Sequence, residues 1–127
     1  ILIKDLQNCE EFVAGDNAVL RELLHPGKEE VKLCYSLAHA VVKQGETSYR
    51  HKLKHPEVYY ILEGRGIMCI DYESVEVRPG QAIYIPPNAI QCIKNIGHND
   101  LKFLCIVEPA WRQEDEEVLY PKYTAET

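Results

Sequence analysis

The stretch GETSYRHKLKHPEVYYILEGRG, Gly45 to Gly66, decides how the chain is read. His51, His55 and Glu57 lead into Val58 to Leu62, a run of β-branched and aromatic residues that favours a strand. Gly64 and Gly66 close that run in a turn. Imidazole and carboxylate are the side chains that bind first-row divalent metals in open catalytic sites. On a strand, residues two apart leave the same face. His51, Leu53, His55, Glu57 and Tyr59 have one parity, so a strand regular through the segment would set them side by side.

Outward from this stretch, short apolar runs alternate with turn residues at close intervals, the mark of an all-β sandwich or barrel. Strands are expected at 18–24, 32–42, 58–62, 67–72, 75–78, 82–85, 90–95 and 101–107. Val75-Glu76-Val77-Arg78 alternates cleanly. Ile67-Met68-Cys69-Ile70 and Phe103 to Val107 are apolar on both faces, which calls for an outer cover or a subunit interface. The chain of 127 residues suits a single domain, with a barrel core over about 18–108 and a short non-barrel tail over 109–127. One helical turn is expected near 113–118, and Trp111 reads as the anchor that holds the tail down.

A formal charge of −6 with scattered basic residues argues against nucleic-acid binding. Glu114-Asp115-Glu116-Glu117 reads as a solvated acidic run. No apolar run approaches the roughly 20 residues of a membrane helix. Ile1 to Asp5 lacks the layout of a secretion signal. The cysteines stand singly, without a CxxC pair, and Cys34, Cys69, Cys92 and Cys105 read as small core hydrophobes. A cytoplasmic location is expected.

Two spaced motifs sharpen the picture. Gly45 is followed by five residues, His51-Lys52-Leu53, three residues, Glu57, six residues and Gly64. Gly80 is followed by five residues, Pro86-Pro87-Asn88, two residues, Gln91, three residues and Asn95. In order and spacing these resemble the two motifs of the cupin superfamily, small single-domain type. The resemblance implies a β-barrel of the jelly-roll kind (a double-stranded β-helix). It also implies one divalent metal, Zn, Mn, Fe or Ni, held by three histidines and a glutamate. Two of those four positions carry Leu53 and Gln91 instead. The metal set implied here is His51, Glu57 and Gln91, with His55 as a replacement if the chain bulges inward. Asn88 replaces a motif glycine, which Asn tolerates because it visits the left-handed region.

The function expected from the resemblance is a metal-dependent isomerase acting on a small polar substrate, similar to mannose-6-phosphate isomerases, although no Arg/Lys phosphate clamp is evident. Glu57, Tyr59 and His39 are the candidate catalytic residues. The alternatives are an Fe-dependent dioxygenase, a non-catalytic module that binds a small molecule or metal, and a structural role with a vestigial cavity. A homodimer is expected, since cupins commonly pair through an outer sheet face.

Overall fold

The computed structural model describes residues 1–120. Among the described residues eleven strands form two antiparallel sheets that face one another: β1 Glu11–Val13, β2 Val19–Leu24, β3 Ser36–Val42, β4 Arg50–Leu53, β5 Glu57–Glu63, β6 Gly66–Ile70, β7 Glu73–Val77, β8 Ala82–Ile85, β9 Gln91–Asn95, β10 Leu101–Val107 and β11 Glu116–Leu119. One sheet has the order β1-β2-β3-β10-β5-β8 and the other β11-β4-β9-β6-β7. This is the expected all-β jelly roll. Its ladders form two separate sheets rather than one closed ring of strands.

The decisive stretch is not one strand. β4 belongs to the five-stranded sheet and β5 to the six-stranded one, with a bend at Lys54-His55-Pro56 between them. Pro56 has no N–H for a ladder, and it biases the residue before it toward extended backbone. The chain therefore changes sheets there. Because the sheets face each other, the inner sides of β4 and β5 look into one interior. His51, Leu53, Glu57 and Tyr59 are all buried as expected, though from opposite walls.

β10 is the spine of the larger sheet, paired with β3 on one side and β5 on the other. Its inward Leu101 and Phe103 pack with Ala40, Val42, Tyr59 and Ile61, and meet Met68 and Ile93 from the smaller sheet. The Phe103 and Tyr59 rings lie with centroids 4.5 Å apart.

Two motif positions show their physical reason directly. Gly64 has φ +90, and a Cβ there would sit 2.8 Å from the Asp100 carbonyl oxygen, a backbone atom that cannot step aside. Asn88 adopts φ 64, the left-handed conformation that the motif glycine would supply. Asn95 closes the second motif. Its Nδ2 donates to the carbonyls of Val42 (2.9 Å) and Asn99 (2.8 Å), and its Oδ1 accepts from Gly97 N–H (2.9 Å). One buried amide thus ties β9 to the end of β3 and to the turn before β10.

The structure corrects the sequence reading in three places. The segment after Pro109 is part of the fold: only Gln113–Asp115 forms a 3-10 turn, and β11 pairs in register with β4. Glu11–Val13, outside the expected strands, adds β1 to the edge of the larger sheet. Among the cysteines only Cys105 packs on the core. Cys34 is exposed, and Cys69 and Cys92 are half-buried. Among the described residues no helix is long and apolar enough to cross a membrane. The end of the expected tail, 121–127, lies outside the described residues.

Candidate active site

A cavity of about 300 Å³ opens between the sheets. Small inward residues of β3, Ala38 and Ala40, make room for it, and Tyr59, Phe103 and Cys105 form its floor. Asp16 in the β1–β2 turn, His51 on β4, Glu57 on β5 and Glu116 on β11 bring polar groups to it from four separate parts of the chain, and Glu22, Lys28 and Ser36 also line it. Trp111, just before β11, completes the wall.

Beneath the polar groups runs a buried chain of hydrogen bonds. The Tyr59 hydroxyl donates to Gln91 Oε1 at 2.9 Å, and Gln91 Nε2 donates to Glu57 Oε1 at 3.0 Å. Gln91 stands opposite His51 across β4 and β9. Burial pushes the Glu57 carboxyl up to about 7, against the lowering effects of the Gln91 bond and the nearby His51. The charges of Asp16 and Glu116 push in the same upward direction. Burial, then the Glu57 charge, likewise holds the Tyr59 phenol well above its ordinary range, so it stays a donor. The Glu116 carboxyl is raised by burial, partly offset by His51.

His51 is held by its ring. Nδ1 lies 2.8 Å from the Tyr49 carbonyl oxygen, and Nε2 lies 3.5 Å from Asp16 Oδ2. Both ring nitrogens thus face oxygen atoms of the protein.

The structure brings His51, Glu57 and Gln91 together, but not the four-ligand set of the family motifs. Leu53 has no donor atom. The Gln91 oxygen already accepts from Tyr59, and its amide nitrogen is spent on Glu57. His55 stays outside: its ring is 30% exposed and its Nε2 pairs with Asp115 Oδ2 at 3.4 Å. The bend at Pro56 turns it toward the 3-10 segment rather than inward. Among the described residues no group of three or more His, Cys, Asp and Glu side chains is gathered to hold a metal ion. The donors present do not fit the metal centre implied by the motifs.

His39, expected as a candidate base, is on the other side of the larger sheet. Its neighbours Ala38 and Ala40 face the cavity, so alternation sends His39 outward into a groove with Arg21, Lys102 and Glu63. Burial first, then the Lys102 and Arg21 charges, lower its pKa. Tyr59 is in place, with its hydroxyl committed to positioning Gln91. Sequence reasoning missed Asp16 and Glu116 altogether and gave Trp111 only an anchoring role. The Trp111 backbone N–H donates to Ser36 Oγ at 2.9 Å, which ties the segment to β3, and the residue also lines the cavity. Asp16 carried a faint signal, since the turn-forming pair Asp16-Asn17 places its Oδ1 to accept from Ala18 N–H at 3.1 Å.

The family model described as the cupin domain, Cupin_2, matches residues 38–107, more than half of the chain. The chain is a cupin. This cupin is 42% identical over 121 residues to an uncharacterized protein of Methanocaldococcus jannaschii, covering 94% of this chain and 95% of that one. It is 28% identical over 102 residues to the glucose-6-phosphate isomerase of Pyrococcus furiosus. That match takes in 76% of the cupin and 49% of the isomerase, so the chain spans about half the enzyme's length. Among solved structures, the nucleoside dehydratase Pac13 of Streptomyces superposes with a TM-score of 0.74 at 16% identity, covering 94% of this chain and 91% of that one, which speaks for the fold alone.

Proposed function

We propose that this cupin binds a small polar molecule in the barrel and that Glu57 exchanges a proton with it, the chemistry of an isomerase acting on a hydroxy-carbonyl compound. One observation carries the reading: a buried carboxyl, poised near neutrality and oriented by Gln91, faces the cavity between the sheets. A group with a pKa near the working pH is the most useful acid–base catalyst, since both protonation states are populated. In this reading Glu57 takes a proton from the carbon beside the carbonyl and returns it to the former carbonyl carbon, while the hydroxyl proton passes from the alcohol oxygen to the former carbonyl oxygen. The similarity to glucose-6-phosphate isomerases supports the reaction class.

The lining argues for a substrate without phosphate. Asp16, Glu57 and Glu116 gather negative charge, and the one lysine among the lining residues, Lys28, is held by Glu22 at 2.6 Å. A dianionic group would meet repulsion there and no free cation. Neutral aldoses and ketoses are therefore the probes, with glucose 6-phosphate beside them. Proton exchange into the carbon next to the carbonyl is followed by NMR in deuterium oxide. Exchange is expected with a neutral sugar, with a loss of about 100-fold or more in Glu57→Gln. No exchange with any sugar, an unchanged rate in Glu57→Gln, or stoichiometric transition metal in protein purified without added metal would each overturn the reading.

The same cupin is proposed to work as a homodimer through the outer face of its larger sheet. Tyr60, Leu62 and Tyr84 are exposed there beside half-buried Val58, Leu104 and Ile106, because their sequence neighbours fill the core. Sedimentation analysis is expected to return a dimer at micromolar concentration, weakened by Tyr84→Glu. A monomer would remove the proposal.

A further inference from the structure

The outer face of the smaller sheet carries an arrangement unrelated to the cavity. Cys69 on β6 and Cys92 on β9 stand directly opposite one another in the ladder. Their inward neighbours Met68 and Ile93 are fully buried, so both thiols turn out of the core, where each is half-buried. Backbone bonds from Asp71 to Ile90 and from Ile96 to Arg65 flank this ladder and set its alternation. Counting by twos from either end makes Cys69 and Cys92 a hydrogen-bonded pair, for which Cα atoms stand about 5.5 Å apart. That separation lies within the range a disulfide spans. Side chains in such a pair point a little too far apart for a relaxed bridge, which makes the bond easy to reduce. Ser74 Oγ on β7 donates to Cys69 Sγ at 3.4 Å.

We propose that Cys69 and Cys92 form a redox-sensitive dithiol that closes reversibly into a cross-strand disulfide on exposure to a low-molecular-weight disulfide. Cys69 is the attacking thiol. Its thiolate displaces one half of the reagent and leaves a mixed disulfide on Cys69. Cys92 then attacks the Cys69 sulfur and expels the second half. Two thiol protons pass from the protein to the two released thiols, while two electrons pass from the protein to the reagent. Cys92 suits the second step. Burial, then the neighbouring Cys69, push its pKa up to about 11, whereas Arg50 on β4 acts in the opposite direction. It is therefore the slower thiol to react alone and the better placed to react with its neighbour. The three other cysteines have no such neighbour. Cys105 faces the cavity, and Cys9 and Cys34 sit in separate loops.

The test treats the reduced, folded protein with oxidised glutathione at mildly alkaline pH, quenches with acid, and maps disulfides by peptide mass spectrometry. The expected product is lighter by two hydrogens, contains a peptide pair linked through Cys69 and Cys92, and returns to the starting mass with dithiothreitol. Cys92→Ser should stop at the glutathione adduct on Cys69, and Cys69→Ser should lose the link while reacting far more slowly at Cys92. A stable adduct at both cysteines of the unaltered protein, or a link that uses Cys9, Cys34 or Cys105 instead, would overturn the proposal without reference to any variant. Neither outcome bears on Glu57 or the cavity.

Discussion

Glu57→Gln should melt about 10 °C above the unaltered protein at about pH 8 and at the same temperature at about pH 4. The reason lies in where the proton goes. Burial raises the Glu57 carboxyl from 4.5 to about 7 in the folded chain. Between those values the folded state holds a proton that the unfolded state has released. Stability therefore falls as pH rises through this window, by about 1.4 kcal/mol per pH unit. Above the window the ionised, buried carboxylate costs the fold about 3 kcal/mol. Below it both states are protonated and the cost vanishes. Glutamine keeps the shape and an oxygen to accept from Gln91, but it never ionises. Thermal melts at the two pH values check this. An equal shift at both, or a less stable variant at the higher pH, would show that the carboxyl is not held out of water. A side chain that lowers stability at neutral pH and stays in the interior is what a working acid–base group looks like.

Phe103→Ala should destabilise the fold by about 4 kcal/mol. Phe103 is 1% exposed at the middle of β10, where β3 and β5 both pair with it, and its ring leans on Tyr59. Removing the ring leaves a void that paired backbones on either side cannot close. It also frees Tyr59 to tilt, which would slacken the bond to Gln91 and through it the orientation of Glu57. Chemical denaturation gives the magnitude. A loss below about 1 kcal/mol would mean that the two sheets collapse onto the gap and that the packing is looser than the structure indicates.

The parts of this molecule that were legible in the sequence are those fixed by short-range chemistry. Turns needing a left-handed residue announced themselves at Gly64 and Asn88. Period-two alternation placed His51, Glu57 and Tyr59 in the interior, although the strand assumed to carry them is really two strands from opposite sheets. The same rule, applied to Ala38-His39-Ala40, would have turned His39 away from the site, since small residues belong where a cavity needs space. His55 obeyed the parity of its neighbours on paper and broke it in space, because Pro56 interrupts the ladder beside it. What the sequence hid was long-range. Asp16 and Glu116 lie about 100 residues apart in a turn and in an acidic run, and each reads as solvent-facing by itself. Only the pairing of β11 with β4 carries Glu116 inward while Glu117 stays outside.

That last pairing has a consequence for how the protein is made. β11 is the final described strand to leave the ribosome, and until it docks the pocket has no Glu116 wall. Everything through β10 can be assembled while the cradle for a guest molecule is still open on one side. A chain clipped short of residue 116 would lack this wall of the cavity, so its hold on a guest molecule should weaken.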